Sequence, residues 1–198
     1  MKPANSALTL ALFLVVALIG CSKSDAPAKP SAASPTAAKP ADPYAAVAAQ
    51  GKGFTVGAMM SAHPVYVLFD PQCPHCGHLW EAALPLLSKA KFVWIPVSII
   101  NSKSARQGAA LLSASNPADT MTAHEKSILA GTGGLSTPAS VPPEMARAVQ
   151  KNTALFSNLG VESVPYILAK NVSTGVVVSN TGSMTTAELA ALLGFSAP

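Results

Sequence analysis

The sequence predicts an α/β domain in which a β-α-β unit, a set of inserted helices and a β-β-α unit surround a mixed sheet. Two apolar, β-branched runs at residues 64–69 and 92–100 flank a segment whose apolar residues recur at helical spacing. Two shorter strand patterns at 163–170 and 175–180 precede a capped helical segment at 185–194. Between these two groups the pattern is helical, so we expect the insertion there.

The first unit begins with PVYVLF at 64–69, an apolar and aromatic run that is typical of a central buried strand. The spacing of apolar residues predicts a helix over 74–89, and Pro85 inside it should kink that helix. FVWIPVSII at 92–100 is a second buried strand, so the unit implies parallel strands and a right-handed crossover. GFTVG at 53–57 is a further short strand candidate.

The middle of the chain, about residues 103–159, predicts an inserted helical subdomain. Its helices are expected at 103–115, 117–130 and 144–159, with a Gly- and Pro-rich loop at 131–143 between the last two.

The last unit begins with strands at 163–170 and 175–180, which a turn joins into an antiparallel hairpin. Thr185 or Thr186 caps the closing helix and Gly194 ends it.

The N-terminus predicts a lipoprotein signal peptide over residues 1–20. Lys2 precedes a short apolar run, and the sequence LIGC that ends at Cys21 resembles the bacterial lipobox, in which the cysteine is lipidated. By the same resemblance, the non-acidic Ser22 favours the outer membrane. An uncleaved anchor and a chance cysteine after an ordinary signal are the alternatives.

Residues 21–43 predict a tether, because alanine, proline, serine and lysine dominate without apolar periodicity. We therefore place the folded domain at 44–198. Apolar residues make up 49% of the chain and charged residues only 11%, which is enough for a buried core. The net charge of +4 comes from scattered basic residues, and this pattern does not favour nucleic-acid binding.

The motif CPHC places Cys73 and Cys76 at the start of the predicted helix, with Pro74 in its first turn. Free backbone N–H groups and the helix dipole stabilise an anion there, so we expect a lowered pKa for Cys73 and a nucleophilic thiolate. Cys76, one turn further in, is placed to attack a mixed disulfide. The imidazole of His75 is expected to stabilise the thiolate further, unless it is an ordinary surface histidine.

Three other uses of the cysteine pair are less consistent with the sequence. Haem attachment requires a histidine directly after the second cysteine, where this chain has Gly77. A zinc site would need Cys73, Cys76 and His78 together with a remote ligand such as His63 or His124, and no second cysteine pair is present. A structural staple is disfavoured because a disulfide that closes so short a loop restrains little of the unfolded chain.

Two neighbouring features bear on the motif. Asp70 either caps the turn that follows it or, if buried, accepts a proton from Cys76. Pro165 begins a predicted strand, and a cis Val164–Pro165 bond would explain a proline at that position. If the loop that contains this bond faces the cysteines, it would offer the backbone of Val164 to a substrate strand.

Over residues 53–194 the chain resembles the Dsb branch of the thioredoxin superfamily, closest to the DsbG/DsbC type. The stretches that carry the resemblance are FDPQCPHC, GHLWEAALP, LLSASNPADT and GVESVPYIL. The resemblance implies a thioredoxin fold in which Cys73 attacks, Cys76 resolves and Pro165 is cis. The Pro-His dipeptide and the valine before the proline are more like DsbA. Isomerases of this branch carry an N-terminal dimerisation domain, for which residues 45–56 are too short, so we expect a monomer.

The expected function is thiol:disulfide exchange on cysteine-containing periplasmic proteins, as an oxidase or as a reductase or isomerase. The resemblance implies a membrane redox partner of DsbD or DsbB type and no cofactor or metal beyond the Cys73–Cys76 disulfide. The alternative is a non-enzymatic metal carrier or assembly chaperone with a thiol pair.

Overall fold

The computed structural model describes residues 39–137 and 140–196. The predicted signal peptide, Cys21 and all but the end of the tether lie outside these residues. No helix within the described ranges is long and apolar enough to cross a membrane. The elements along the chain are α1 (Pro43–Gln50), β1 (Phe54–Gly57), β2 (Pro64–Phe69), α2 (Pro74–Ala83), β3 (Lys91–Pro96), α3 (Ser104–Leu112), α4 (Pro117–Leu129), α5 (Pro143–Asn158), β4 (Tyr166–Lys170), β5 (Val177–Thr181) and α6 (Thr186–Leu193).

The five strands form one mixed sheet in the order β1-β3-β2-β4-β5. The central strands β2 and β3 run parallel, from Pro64 opposite Lys91 to Phe69 opposite Pro96, as the predicted β-α-β unit requires. The remaining neighbours pair antiparallel, and β4 and β5 form the predicted hairpin. The fold is therefore the mixed α/β architecture that the sequence predicts.

Successive side chains along the central strands point to opposite faces of the sheet. The core therefore has two layers, one on each face. On one face, Val67 and Phe69 of β2 pack with residues of α2 and α6, including Trp80 and Leu189. On the other face, Leu68 of β2 packs with residues of α1 and α5. Both faces are covered by helices, which explains the nearly continuous apolar character of β2 and β3.

Helix α2 ends earlier than the sequence predicts. Its α-helical part stops at Ala83, and Leu84–Leu86 continue as a 3₁₀ turn. Pro85 lies in that turn and lacks the N–H that an α-helix would use. The proline therefore ends the α-helix instead of kinking it.

Strand β3 is also shorter than the run at 92–100 suggests, since it ends at Pro96. The N–H of Val97 still donates to the carbonyl of Phe69 in β2 at 2.8 Å, and the backbone N–H groups after it are taken by side chains outside the sheet. Ser98 donates to Oγ1 of Thr153 at 2.9 Å, and Ile99 and Ile100 donate to the Asp70 carboxylate. These bonds turn an apolar segment into a loop at the carboxyl edge of the parallel strands.

The three helices predicted between the β-α-β and β-β-α units are present, but they pack in different parts of the fold. Leu155 and Phe156 of α5 pack in the layer beneath Leu68, so α5 is part of the α/β sandwich itself. Helix α4 packs against α2, and α3 packs against α5. The two helices α3 and α4 therefore form the addition that borders the start of α2.

Helix α1 is not in the sequence-based prediction. Asp42 caps it by accepting a hydrogen bond from the Ala45 N–H at 2.9 Å, and Pro43 opens it. Tyr44 and Val47 are its buried residues, and the Tyr44 hydroxyl donates to the carbonyl of Pro64 at 3.0 Å. The ordered fold thus reaches the residues where the predicted tether ends.

Helix α6 has the predicted ends. Thr185 and Glu188 form a capping box at its start, and Gly194 follows its last residue in the left-handed conformation.

Candidate active site

The cysteine motif begins α2 at the carboxyl edge of the parallel strands. Cys73 is the N-cap residue, and Pro74 occupies the first helical position, where a missing N–H is tolerated. Cys76 lies one turn into the helix, and its N–H donates to the Cys73 carbonyl at 3.0 Å. The predicted positions of Cys73, Pro74 and Cys76 are therefore found in the fold.

The two thiols, both free in the structure, have opposite environments. A hydrogen bond from the Cys76 thiol lowers the pKa of Cys73 to about 7, and the backbone N–H groups of Cys76 and His75 act in the same direction against the effect of burial. Burial raises the pKa of Cys76 well above its ordinary value, and its interactions with Cys73 raise it further. At neutral pH, Cys73 is the thiol that ionises.

His75 contributes through its backbone. Its N–H stabilises the Cys73 thiolate, whereas its side chain is exposed. The ring of His75 lies 6.5 Å from that of His78, measured between centroids. A helix N-terminal amide, which any residue type at this position except proline provides, thus supplies part of the stabilisation of the thiolate.

The Val164–Pro165 bond is cis, as the resemblance implies, and its loop faces the cysteine motif. The Cys73 thiol donates to the carbonyl of Val164, with 3.7 Å between Sγ and O. On the other side, the carbonyl of Pro165 accepts a hydrogen bond from the N–H of Gly182 at 2.8 Å. The loop before β4 is therefore held in place beside the Cys73 sulfur.

Asp70 is fully buried and acts as a cap. Its Oδ1 accepts from the N–H of Gln72 at 2.8 Å. Its Oδ2 accepts from the N–H groups of Ile99 and Ile100 at 2.7 and 3.0 Å. Of the two roles considered for Asp70, its hydrogen bonds match capping, and they also fasten the loop after β3 to the loop that carries Cys73.

Side chains of α3 and α4 support the same loop from the other side. The ring of His124 is buried, accepting at Nδ1 from the N–H of Leu135 and thus donating from Nε2 to the carbonyl of Pro71 at 2.7 Å. Gln72 donates to the side-chain oxygen of Gln107. His124 and Gln107 thus position the segment that leads into Cys73.

Sequence reasoning missed Glu125. It lies on α4, is 1% exposed, and burial raises its pKa to about 9. The local sequence AHEKS gives no sign of this, because a glutamate between histidine and lysine is typical of a solvated helix face. Only the packing of α4 on α2 places it beside the motif.

Within residues 39–137 and 140–196, no group of three or more His, Cys, Asp or Glu side chains could hold a metal ion. His78 is exposed and lies 3.8 Å from the carboxylate of Glu81. His124 uses both ring nitrogens for the hydrogen bonds already described.

The chain is similar to two proteins named thiol:disulfide interchange protein DsbG. It is 31% identical to that of Pseudomonas aeruginosa over 132 residues, covering 66% of this chain and 50% of the relative. It is 33% identical to that of Escherichia coli over 105 residues, covering 52% of this chain and 42% of the relative. The chain thus spans half or less of the length of these relatives. No family model matches the chain.

Solved structures show the same fold. A periplasmic thioredoxin-like protein from Salmonella enterica superimposes with a TM-score of 0.61 at 15% identity, covering 76% of this chain and 93% of that one. The catalytic domain of Proteus mirabilis ScsC gives a TM-score of 0.59 at 14% identity, covering 76% of this chain and 96% of that domain. The chain therefore has the fold of thioredoxin-like proteins and is similar in sequence to proteins named thiol:disulfide interchange protein.

Proposed function

We propose that the protein is a thiol:disulfide oxidoreductase that exchanges disulfides with protein substrates through Cys73 and Cys76. The observation that carries the proposal is the lowered pKa of Cys73 at the start of α2, directly opposite the Val164–Pro165 loop. A thiolate that is stabilised at neutral pH is both a nucleophile and a leaving group. The names of the sequence relatives support the same reaction class.

In the reducing direction, the Cys73 thiolate attacks a sulfur of the substrate disulfide, and the other substrate sulfur leaves as a thiolate. Cys76 then attacks the mixed disulfide at Cys73, so that the Cys73–Cys76 disulfide forms and the second substrate sulfur is released. Two electrons pass from the dithiol to the substrate. The oxidising direction is the reverse sequence. A sulfenic acid on a single substrate cysteine enters the reducing direction at its first step, where the Cys73 thiolate attacks its sulfur and hydroxide leaves and is protonated to water.

The loop before β4 is the proposed contact for substrate backbone. Val164 is partly exposed, and its carbonyl lies beside the Cys73 sulfur. An extended substrate segment that pairs with the backbone of Val164 would bring its cysteine to Cys73, with Pro165 fixing the direction of the loop.

Trapping tests the reaction directly. Cys76→Ser keeps the nucleophile but removes the resolving thiol, so mixed disulfides with other proteins should accumulate in cells and be identified by mass spectrometry after purification. Cys73→Ser, which differs by the same single atom, should trap none. Equal trapping by both variants, or none by either, would count against the proposal.

The direction of electron flow can be measured separately. Alkylation of thiols in intact cells, followed by electrophoresis, reports whether the Cys73–Cys76 pair is kept oxidised or reduced. An oxidase should be largely a disulfide and should depend on a DsbB-type partner. A reductase or isomerase should be largely a dithiol, should depend on a DsbD-type partner, and should reduce insulin in vitro.

The proposed location is the periplasmic side of the bacterial envelope, with a lipid on Cys21. The signal pattern at residues 1–20 supports it, as does the likeness to the periplasmic thioredoxin-like protein of Salmonella enterica. Labelling with a palmitate analogue should mark the wild type and not Cys21→Ala, and membrane fractionation should place the wild type in the outer membrane. Label retained by the variant would contradict acylation at Cys21.

A further inference from the structure

Two grooves of opposite charge adjoin the CPHC motif. The first has a volume of about 470 Å³ and lies between the start of α3 and the loop at 132–137. Its charged residues are Lys103 and Arg106, and the part of its lining that the structure describes contains no carboxylate. We call it the basic groove.

The basic groove adjoins the residue that precedes the nucleophile. Gln107 and Gly133 belong to its lining, and both accept hydrogen bonds from Nε2 of Gln72. The ammonium of Lys103 extends to the opposite wall, since it lies 3.6 Å from the position that a Cβ on Gly133 would occupy. A substrate segment that passes from Cys73 over Gln72 therefore meets a positive charge.

The second groove adjoins the helical turn that follows Cys76. It has a volume of about 590 Å³ and lies between α2 and the start of α6. Its charged residues are Glu81 and Glu188, and its described lining contains neither lysine nor arginine. His78, two positions after Cys76, forms part of the wall and lies 3.8 Å from the carboxylate of Glu81. We call it the acidic groove.

The charges of both grooves are open to solvent and to a bound segment. Glu81, Glu188, Lys103 and Arg106 are all exposed. The N–H and the hydroxyl of Thr185 both donate to Oε2 of Glu188 at 2.8 Å, and these hydrogen bonds lower its pKa. The acidic groove therefore stays negative at neutral pH.

Opposite charges at two places on a binding surface favour one orientation of a charged ligand. A substrate segment with its cysteine at Cys73 and its backbone on Val164 extends beyond the motif in two directions. A carboxylate in the basic groove and an ammonium in the acidic groove both gain Coulomb energy, whereas the opposite order loses it at both places. The grooves can therefore select substrates by the charges beside the cysteine.

We propose that the protein prefers protein segments that carry an acidic residue on one side of the reactive cysteine and a basic residue on the other. The acidic residue binds in the basic groove, and the basic residue binds in the acidic groove. This inference rests on the thiol:disulfide exchange proposed above and names the class of substrate that the same site selects.

Isomeric peptides test the preference at constant net charge. Each peptide has one cysteine in a mixed disulfide with 5-thio-2-nitrobenzoate, and one glutamate and one lysine on opposite sides of that cysteine. The two isomers differ only in the order of the charges. The Cys73 thiolate attacks the peptide sulfur, and thionitrobenzoate leaves as a coloured thiolate whose absorbance gives the rate. Spacings of two, three and four residues are compared, because each extended residue adds roughly 3.3 Å.

At one or more spacings, one isomer should react at least about threefold faster than the other at low ionic strength. The ratio of the two rates should fall toward one as salt is added, because salt screens exposed charges. Equal rates for the two isomers at every spacing would overturn the inference.

Charge reversal connects the preference to the two grooves. Lys103→Glu cancels the charge of the basic groove and Glu81→Lys cancels that of the acidic groove, so each should lower the ratio. The double variant should bring it close to one. Because a ratio is measured, any change in the reactivity of the Cys73 thiolate cancels.

Lys151→Glu is the matched control. It makes the same change of charge at an exposed position of α5, outside the lining of both grooves, so it should keep the wild-type ratio. Equal losses of the ratio in Lys103→Glu and Lys151→Glu would show an effect of net charge alone and would contradict the assignment to the basic groove.

Cys73→Ser separates this inference from the exchange reaction itself. The variant should release no thionitrobenzoate from either isomer. If it released thionitrobenzoate as fast as the wild type, or if the wild type released none from any peptide, the proposed exchange through Cys73 would fail. A wild type that reacts through Cys73 at equal rates with both isomers would keep the exchange function and lose only the charge preference.

Discussion

Cys73 and Cys76 differ sharply in acidity although they lie one helical turn apart. Since the pKa of Cys73 is lowered to about 7 and burial raises that of Cys76, only Cys73 should react with iodoacetamide near neutral pH. Its alkylation rate should reach half of its maximum near pH 7, as measured by mass spectrometry of the labelled peptide across a pH series.

The variant Cys73→Ser isolates Cys76 and serves as the control. It should be almost unlabelled at neutral pH, because burial, the largest cause of the raised pKa of Cys76, remains. Rapid labelling of Cys76 in this variant would contradict the difference in environment.

At the scale of residues, the features that depend on neighbouring positions in the chain could be predicted. The positions of Cys73 and Pro74 follow from a motif at a helix start, and the cis Val164–Pro165 bond follows from family resemblance at a proline. The burial of Glu125 beside the motif could not be predicted, because it depends on contact with Gly77 in another helix, 48 positions earlier in the chain. For His75 the sequence predicts a side-chain role, and the structure adds a contribution from its backbone N–H, which does not depend on the residue type.

Among the elements, the loops at the carboxyl edge of β2 and β3 are joined by one side chain. Asp70 accepts three backbone N–H groups, from Gln72, Ile99 and Ile100. In Asp70→Ala these donors lose a charged acceptor, so the free energy of unfolding should fall by roughly 3 kcal/mol. Denaturation by urea, followed by fluorescence, measures the change.

Asp42→Ala is the comparison for that measurement. Asp42 caps α1 through a single exposed hydrogen bond to Ala45, so its loss should cost only about 1 kcal/mol. Similar losses in both variants would mean that Asp70 does not hold the two loops together.

The end of β1 makes a second prediction at this scale. Gly57 has φ 92°, and a Cβ on it would overlap the carbonyl oxygen of Ala90. Gly57→Ala should therefore destabilise the protein by more than about 2 kcal/mol, from backbone strain and from overlap with a backbone atom.

Gly131→Ala separates the two causes. Gly131 has φ 71° but nothing within 4 Å of a Cβ, so it should cost only about 1 kcal/mol in thermal or urea unfolding. Equal losses at the two sites would show that overlap with Ala90 contributes nothing.

The order of elements was predictable because β2 and β3 are buried on both faces and therefore appear as apolar runs. The residues at which the elements end were harder to predict. The segment after β3 leaves the sheet because side chains distant in sequence, on Thr153 and Asp70, take the N–H groups of Ser98 and Ile99. Helix α1 is missed because its alanine-rich segment continues the composition of the tether, and its burial depends on contact with α5 and the sheet.

In the whole molecule, the CPHC motif lies where the parallel strands, the β4–β5 hairpin and the added helices α3 and α4 meet. The parallel strands supply the edge at which α2 begins, and the hairpin β4–β5 supplies the Val164–Pro165 loop. Helices α3 and α4 supply Gln107, His124 and Glu125. The added helices thus do more than lengthen the domain, since they support the backbone before Cys73 and bury a carboxyl against Gly77 of α2.

This arrangement has a consequence for the stability of the whole domain against pH. Burial raises the pKa of Glu125 from an ordinary 4.5 to about 9, so the folded state holds a proton that the unfolded chain releases above its ordinary pKa. The stabilising effect is complete below pH 4.5 and is lost progressively as the pH rises to about 9. The free energy of unfolding of the wild type, relative to Glu125→Gln, should fall over this window by up to about 1.4 kcal/mol per pH unit.

Urea denaturation of the two proteins across a pH series measures this difference. All other ionisable groups are common to both proteins, so the difference between the two slopes reports Glu125. Glu81→Gln should run nearly parallel to the wild type, because its carboxyl is exposed. Parallel curves for Glu125→Gln and the wild type would mean that Glu125 ionises as easily in the folded domain as in the unfolded chain.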